Sequence, residues 1–467
     1  MRKTYPFILC LILTVMISSC TSKDYRQVMK VPEQKFYQGK FLEAARMILP
    51  EVNKSGRDQL LFMMECGYML HAGKDYKKSN KVLLPAGRLA KVVPISISKQ
   101  AAALLTNQRK TNYRGEDFEK VLVHMYLGIN FLMVGNSEDA RVEFKKVNNE
   151  LAKIKTEKGT ARYKQNIMAK YLTAIAYEII GDMENDDNDR EFAYIEYKQI
   201  YQLNPGLQMV QRDLQRLSKK LDYTDDYDEW LAKFGKKDSG TEGTGELVMI
   251  FQSGRNAIKK SRGKLMSDPA MKNSIRVSLN SITLQQGVTI AAILTTLATA
   301  ENPIPYFKKR SNRTRNVRIS VDGRTYSTVR LEDIEGTAIQ NLKDDYGRLK
   351  GKVAASIVVK AAASIAAGIA AKKLAERSKK LGGYSSLIGL AAGMGTGTAL
   401  FSQMKPDLRC WHTLPANLQL SRVFLKPGKH RVKLDFIGYN NSVLSSKTVD
   451  VNIKKDKKSF INERALL

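Results

Sequence analysis

The sequence predicts an α+β protein whose first half is helical and whose second half is built around strands. Between residues 36 and 220, apolar runs with helical spacing recur, and glycines lie between them. Further along, apolar and polar residues alternate from Leu418 to Leu425 and again from Val432 to Phe436, which is the period of half-buried strands. The two patterns occupy different parts of the chain, so they predict two architectures joined in one protein.

The composition is typical of a folded protein, and its positive charge predicts attraction to an anionic surface. Its 467 residues are 43% hydrophobic, which is enough for two or three domains with cores. The formal net charge of +31 governs attraction to anionic surfaces and not the fold. Because the N-terminus predicts export, we expect anionic lipids or lipopolysaccharide as partners and no nucleic acid. The alternative is that the scattered lysines simply solvate helix faces.

Residues 1–19 have the pattern of a lipoprotein signal peptide. Arg2 and Lys3 precede an apolar stretch, residues 7–17, that is too short to span a membrane. The letters ISSC, ending at Cys20, then resemble a lipobox, in which the cysteine is acylated and becomes the new N-terminus. Cys20 is therefore the predicted lipidation site, and acyl chains there would anchor the protein to a membrane. By resemblance to proteobacterial sorting, Thr21 favours the outer membrane; an ordinary signal peptide with a chance cysteine is the alternative.

Residues 20–221 form the predicted helical-repeat domain. Gly39, Gly73, Gly135 and Gly181 each lie between an apolar helix and an aromatic- or alanine-bearing one. The first two are 34 residues apart, which is the tetratricopeptide period, whereas the later spacings of 62 and 46 are irregular. A helix pair cannot bury its apolar face alone, so we expect the pairs to stack. The alternative is an irregular helical domain with coincidental glycines.

Residues 222–245 are the predicted linker. An acidic patch runs from Asp222 to Glu229, where Trp230 interrupts it, and residues 236–245 have the composition of a flexible linker. The patch lacks the spacing and the turn glycine of an EF-hand calcium loop. We interpret it as a solvated helix cap or as an intramolecular partner of the basic surface.

Residues 246–467 form the predicted α+β domain, with a helical insertion at 331–404. Residues 246–252 read as a buried strand, and residues 315–330 read as a hairpin that turns at Asp322-Gly323. The insertion changes to a helical period and becomes rich in alanine and glycine. In its run 353–371, Lys360 offsets the apolar residues and makes transfer into a bilayer close to neutral. We interpret the insertion as a buried helical hairpin, with a membrane-penetrating hairpin as the alternative.

The remaining strands are expected at 418–425, 430–437, 444–453 and 457–463, in a mixed sheet or sandwich. The first two are predicted to form a β-hairpin that turns at Pro427-Gly428. Trp411 stands just before them. We expect it to wedge between this sheet and the alanine- and glycine-rich helices.

Around this hairpin stand the predicted signature residues Arg409, Trp411, Thr413, Leu414, Pro415, Arg422, Pro427, Gly428 and His430. Together they look like the C-terminal signature of a family of bacterial envelope lipoproteins. That family pairs tetratricopeptide-like N-terminal helices with this C-terminal region, and the resemblance implies a structural role and no assigned reaction.

The sequence offers no constellation that is typical of catalysis. It has no Gly-x-Ser-x-Gly elbow and no phosphate loop. His71 and His124 stand alone, and His412 and His430 flank the signature without a nucleophilic partner. We therefore predict no catalytic, metal or cofactor-binding residues.

The function expected from these patterns is that of a membrane-anchored envelope lipoprotein, attached through Cys20, whose helical repeats bind envelope proteins without catalysis. One alternative is a cell-wall-associated enzyme or an activator of one. The other is a membrane-active or transport component that acts through residues 353–404.

Overall fold

The computed structural model describes residues 24–90, 112–154, 165–279, 295–378 and 381–466, so the predicted signal peptide and Cys20 lie outside the described residues. Within these ranges the α+β class is confirmed, because ten helices precede the first strand and two four-stranded sheets follow. The ten helices, which we call the helical array, are α1 (Tyr25–Tyr37), α2 (Phe41–Val52), α3 (Gln59–Ala72), α4 (Tyr76–Leu89), α5 (Asp117–Met133), α6 (Ser137–Lys153), α7 (Ile167–Glu184), α8 (Asp187–Leu203), α9 (Gln208–Lys220) and α10 (Thr224–Phe234).

The glycines between these helices serve two physical purposes. Gly39 and Gly135 have φ angles of +80° and +84° in the turns after α1 and α5, a backbone region that side chains with a Cβ rarely adopt. Gly181 instead lies inside α7, and a Cβ placed there would come within 2.8 Å of the carbonyl oxygen of Asp186. The first two glycines permit the turns, and the third permits the close approach of α8 to α7.

Residues 224–234, which the sequence assigns to a linker, form α10 and pack on α8. Trp230 is buried, its ring stacks 5.4 Å from Phe234, and its indole N–H donates to the hydroxyl of Tyr194 at 2.7 Å. Asp226 accepts from the same hydroxyl at 2.6 Å. Part of the acidic patch therefore lies in the first turn of α10, and its Asp226 forms a hydrogen bond with another helix of the same chain. Burial of the tryptophan explains why this part is ordered although its charged composition predicts a linker.

The strands form two four-stranded sheets and a two-stranded ribbon. The first sheet has the order β10-β1-β7-β6, the second the order β5-β4-β8-β9, and the ribbon pairs β2 with β3. Their bounds are β1 (Gly245–Ser253), β2 (Ile258–Lys260), β3 (Tyr306–Lys308), β4 (Thr314–Val321), β5 (Arg324–Ser327), β6 (Val329–Glu332), β7 (Asn417–Leu425), β8 (Gly428–Gly438), β9 (Val443–Ile453) and β10 (Lys458–Ala465).

The first sheet lies between the second sheet and the helical array. Leu247 and Phe251 of β1 share a core with the second sheet, as in a β-sandwich. Val248 and Ile250 point to the opposite face and belong to the same core as the helices. Because side chains alternate between the two faces of a strand, both faces of β1 are covered and all nine of its residues are buried.

The expected hairpin of residues 418–425 with 430–437 is wrong. β7 pairs with β1 and β6 in the first sheet, whereas β8 pairs with β4 and β9 in the second. Pro427 and Gly428 carry the chain from one sheet to the other, with Gly428 at φ +140°. The alternating pattern identified both strands correctly. It did not identify their neighbours, because both edges of β7 are occupied by strands from elsewhere in the chain.

The other predicted hairpin, within residues 315–330, is present. β4 and β5 pair in antiparallel register, and the turn between them holds Asp322 at φ 48° and Gly323 at φ 71°. Both positive φ angles suit the tight turn that the twist of an antiparallel hairpin favours. This hairpin joins β8 in the second sheet.

Among the helices whose two ends the structure describes, three more accompany the sheets: α11 (Pro269–Leu279), α12 (Ile334–Glu376) and α13 (Ser385–Ser402). The long pair α12 and α13 lies between the neighbouring strands β6 and β7, within the interval 331–404 for which the sequence predicts inserted helices. Val353, Ile357 and Phe401 from this pair form a separate core with Met271 and Ile275 of α11. The helical pair therefore has a core of its own beside the sandwich.

Candidate functional site

Residues 407–414, which we call the clamp segment, lie against the helical array before the chain enters β7. Trp411 is completely buried, and its ring meets Tyr68 of α3 edge-on at 6.2 Å and Tyr126 of α5 at 5.8 Å. Both partners belong to the array. The expectation that Trp411 wedges against the alanine- and glycine-rich helices is therefore wrong, because the chain returns to the array after α13.

Glu65, in the middle of α3, binds the backbone of the clamp segment. Its carboxylate accepts the N–H of His412 at 2.7 Å and that of Thr413 at 3.3 Å, and it also accepts the hydroxyl of Tyr25 at 2.7 Å. Burial raises the pKa of Glu65 against the opposing effect of these donors. A buried carboxylate that accepts several hydrogen bonds holds a peptide segment firmly, because removing either partner leaves a buried polar group unpaired.

Glu119 of α5 binds the clamp segment at Trp411, one residue before the His412 that Glu65 binds. It accepts the backbone N–H of Trp411 at 2.7 Å and that of Glu116 at 2.9 Å. Burial, together with the neighbouring charge of Glu116, raises the pKa of Glu119 to about 7. Lys259 of β2 ion-pairs with Glu116, so three parts of the chain meet here.

Arg409 and its two carboxylate partners hold the start of the clamp segment. The guanidinium donates to Asp58 at 2.6 Å and to Asp407 at 2.7 Å, and it lies 5.4 Å from the centre of the Tyr113 ring. The Arg409 side chain is nearly buried, so both charged hydrogen bonds form away from bulk water.

His412 connects the clamp segment to α1. Its Nδ1 lies 3.1 Å from a carboxylate oxygen of Glu33, and its carbonyl oxygen accepts from Arg310 and from Tyr37, each at 2.6 Å. Burial alone would lower the pKa of His412, but neighbouring Cys410 and Glu33 outweigh burial and raise it. His430 lies elsewhere, in the second sheet, so the two histidines that flank the signature do not face each other.

A second junction surrounds Arg422 of β7, whose side chain is fully buried. It donates to Glu246 of β1 at 2.7 Å and to the hydroxyl of Tyr197 at 2.6 Å, and it forms an ion pair with Asp213 of α9 at 2.9 Å. Glu178 of α7 completes the ring of acceptors at 3.2 Å. A buried arginine with planar donors can satisfy several carboxylates at once, and here it joins the sheet to three helices of the array.

Further cations keep Glu178 ionised inside the protein. Burial would raise the pKa of Glu178, but Arg216 at 2.7 Å, Lys458 at 3.1 Å and Arg422 outweigh it and lower the pKa well below its usual value. Lys458 begins β10. The network therefore extends from the array through β1 and β7 to the last described strand.

His71 lies in a third buried polar network between α3 and the first sheet. Its Nδ1 is 2.6 Å from the side-chain oxygen of Asn130, and its Nε2 is 2.6 Å from the amide nitrogen of Gln252 and 3.2 Å from that of Asn462. These partners assign the proton to Nδ1. Burial lowers the pKa of His71 to about 4, so the ring is neutral at pH 7. It acts as a hydrogen-bonding link between the two halves.

The predicted signature residues do not all gather at one place. Leu414 and Pro415 are buried with the clamp segment, whereas Pro427 and Gly428 are exposed at the turn between the sheets. His430 is held on the second sheet by a carboxylate of the β4–β5 turn at 2.9 Å. The first part of the signature therefore joins the two halves, and the last part shapes the sandwich.

Sequence reasoning missed the acidic partners in the array. Glu65 and Glu178 each interrupt an apolar helical run, whereas Glu119 lies in the charged first turn of α5; all three are almost completely buried. A carboxylate at such a position is rarely buried without a partner. That rule could have marked Glu65 and Glu178 as members of a junction, although it could not have named the residues they bind.

One groove outside the junctions brings titratable groups together. It has a volume of about 440 Å³ and lies beside α4, α5 and α6. In it, Nδ1 of His124 is 2.6 Å from Glu143, which also binds Lys146 at 2.6 Å, and Glu150 binds Lys153 at 2.5 Å. No serine, threonine or cysteine is among its lining residues in the described chain. Its carboxylates are thus ion-paired, which does not favour acid–base chemistry.

A group of three carboxylates stands at the turn between α7 and α8. Oxygens of Glu184, Asp186 and Asp189 lie within 4.8 Å of one another. Asp186 already accepts the backbone N–H of Asn188 at 2.8 Å and thereby caps α8. Acidic residues at a helix start are accounted for by capping and by the helix dipole, so we assign this group a structural role.

No protein-family model and no curated protein matches the chain. Among solved structures, the chain is similar to the nearly identical TPR-like repeats of a kinesin light chain from Podosopora anserina, at 12% identity and a TM-score of 0.30, over 46% of this chain and 96% of that one. A variant of the same protein gives 12% identity and a TM-score of 0.30 over 44% and 91%. The α+β class of the chain itself rests on its ten array helices and its two sheets.

Proposed function

We propose that this protein is a lipid-anchored, non-catalytic scaffold of the bacterial cell envelope, attached to the outer membrane through Cys20. The observation that carries the proposal is that the charged groups at the junctions bind one another inside the protein. Glu65, Arg409 and Arg422 are buried and bind backbone or side-chain groups of the other half. Charged groups that are buried in such contacts stabilise the fold and are inaccessible to a substrate.

The outer surface of the array is where a scaffold of this form would meet other proteins. The inner surface is occupied by the clamp segment and the first sheet. On α8, by contrast, Phe192, Ile195 and Leu203 are exposed to solvent, and so is Met183 at the end of the neighbouring helix α7. Exposed apolar side chains that cluster on neighbouring helices are typical of protein-binding surfaces.

The anchor is tested by comparing the wild type with Cys20→Ala in a bacterium that acylates lipoproteins. We expect the wild type to incorporate a clickable palmitate analogue and to sediment with the outer membrane. Cys20→Ala should lose the label. Equal labelling of the two proteins would overturn the anchor.

The binding surface is tested with a photo-crosslinking amino acid at Ile195 and, as a matched control, at Tyr439, which is exposed in the turn between β8 and β9. We expect a discrete crosslinked envelope protein at Ile195 and none at Tyr439. The purified partner should bind the wild type, and Phe192→Asp should weaken that binding at least tenfold. Crosslinks at both positions, or binding that Phe192→Asp leaves intact, would overturn the surface.

A further inference from the structure

The helices α12 and α13 form a hairpin whose surface is unusual for a water-soluble protein. α12 is long and apolar enough to cross a membrane, with a mean hydropathy of 1.9 over its most apolar 18-residue stretch, yet only 39% of that stretch is buried. A core helix with this composition would be mostly buried. The inner face of α12 packs on α11 and α13, so the exposed part is its outer face.

Apolar side chains are exposed on both helices within residues 353–402. Val359 and Leu374 of α12 are each 68% exposed, and Leu387 of α13 is 64% exposed. Ile369 and Met394 add to this surface from the same two helices. Alanines at 355, 362, 363, 366, 370, 391 and 399 are exposed between them. Exposure of this surface to water is unfavourable, because removing apolar area from water lowers the free energy by about 25 cal/mol per Å².

The two helices contact each other through small residues. A Cβ on Gly368 of α12 would lie 2.7 Å from the carbonyl oxygen of Gly389, and a Cβ on Gly393 would lie 3.2 Å from that of Ser364. Backbone contact of this kind stabilises helix pairs where no hydrophobic effect drives them together, as in lipid. It also leaves the larger apolar side chains free to face outward.

The one charged residue within the run 353–371 has its partner inside the hairpin. The Nζ of Lys360 donates to the carbonyl oxygen of Leu400 at 3.3 Å, and Ser364 donates to the carbonyl oxygen of Lys360 at 2.8 Å. A polar group that is satisfied within a helix pair is tolerated at membrane depth. Residues 381–404 of the second arm contain no charged residue.

The length of the two apolar helical segments and the positions of the basic residues at their ends match a bilayer. Residues 353–371 span about 28 Å, the 18 residues of α13 span about 27 Å, and a hydrocarbon core is about 30 Å thick. Basic residues lie at both ends of this apolar band. Lys350, Lys352 and Lys405 are at the base, and Lys372, Lys373 and Arg377 are at the tip. Such collars complement anionic head groups on the two sides of a bilayer.

We propose that residues 353–376 of α12, together with α13, insert into a bilayer that contains anionic phospholipid. This contact is separate from the acyl anchor at Cys20 and does not depend on it. The protein would then hold the membrane at two places, by its N-terminal lipid and by a protein hairpin. The sandwich and the array would remain on the side where the base of the hairpin lies.

Flotation with the acyl-free chain that begins at Thr21 tests insertion. The vesicles are phosphatidylcholine mixed with phosphatidylglycerol. We expect the chain to float with them and to remain bound in high salt. Val359→Glu combined with Leu387→Glu should reduce the floated fraction at least tenfold. The matched control is Val329→Glu combined with Val443→Glu, at exposed positions on the two sheets. It should float like the wild type, and circular dichroism should show that all three proteins are folded.

A fluorophore at Val359→Cys measures depth. The native Cys66 and Cys410 are buried and should not be labelled. We expect quenching by lipid-borne doxyl groups and protection from aqueous iodide, whereas a fluorophore at Val443→Cys should be quenched by iodide alone. Elution by salt with iodide access at position 359 would mean adsorption to the surface and would overturn insertion. Self-association without flotation would mean that a second copy covers the hairpin, and it would overturn insertion as well. Neither result bears on palmitate labelling of Cys20.

Discussion

The backbone N–H of Trp411 lies 2.7 Å from a carboxylate oxygen of Glu119, although 292 residues separate the two in the sequence. The contact places a segment of the second half inside the packing of the first. Since Trp411 also meets the rings of Tyr68 and Tyr126, the array and the sheets share one core at this point.

Substitution of Trp411 should destabilise both halves together. Truncation of a buried aromatic residue to alanine costs about 3–5 kcal/mol, out of about 5–15 kcal/mol for a typical domain. We expect Trp411→Ala to lower the thermal midpoint of the whole chain, with the helical signal and the aromatic near-ultraviolet signal melting at the same lower temperature. Tyr439→Ala, at an exposed position, should leave the midpoint unchanged. Melting of the strands alone would contradict the shared core.

Arg422 should be far more important for stability than an exposed arginine in a similar pair. Its removal leaves Asp213, Glu178 and Glu246 buried without their central cation, and breaking a buried pair costs about 3–5 kcal/mol. We expect Arg422→Met to lose about that much free energy of unfolding in urea. Arg431→Met is the matched control, because Arg431 and Asp450 are both exposed; it should lose at most about 1 kcal/mol. Equal losses would show that the network does not stabilise the junction.

His412 should make stability depend on pH in a specific direction. Its folded pKa is raised, with Glu33 among the causes, whereas an unfolded histidine has a pKa of about 6.5. A raised folded pKa contributes stability that is fully present below about pH 6.5 and is lost as the pH rises through the folded value. In urea titrations at several pH values, the wild type should lose this stability on the alkaline side. His412→Asn should show a flatter profile there, and so should Glu33→Gln. A profile that neither substitution changes would remove His412 as the cause.

Glycine positions on α13 should differ sharply in their tolerance of a side chain. At Gly389 a Cβ would lie 2.8 Å from the carbonyl oxygen of Gly368, whereas at Gly395 no atom lies within 4 Å. Overpacking costs about 1–3 kcal/mol. We therefore expect Gly389→Val to separate the two helices and to speed tryptic cleavage at Lys372 in detergent-purified protein. Gly395→Val should be cleaved at the wild-type rate, and faster cleavage of both variants would point to a general loss of helix.

Local chemistry in the sequence was enough to predict much of the fold. The glycines at 39 and 135 predicted turns because a left-handed backbone favours glycine, and the turn at Asp322-Gly323 followed from the same principle. Alternating apolar residues predicted β7 and β8 as strands. Alternation gives the two faces of a strand, however, and not its neighbours, so the pairing of these two strands was predicted incorrectly.

The junction was harder to predict because its partners lie far apart in the sequence. The size of Trp411 indicated burial, but nothing near it in the sequence pointed to Tyr68 or Tyr126. The linker showed the same limit, because Trp230 packs on Tyr194 and Tyr201 of α8 and thereby orders a charged segment. Long-range packing outweighed local composition in both places.

The parallel pairing of β1 with β10 has a consequence for the order of folding. Glu246 of β1 lies opposite Lys458 of β10. The edge of β1 that pairs with β10 therefore stays unpaired until more than 200 further residues of the chain have been made. Until residues 407–414 have also been made, the buried carboxylates of the array have no peptide to bind. Contacts this distant in sequence form slowly, and incomplete chains expose apolar surface that can aggregate. We therefore expect a nascent or translocating chain to need a holding chaperone until residue 458 and the strand that follows it have emerged.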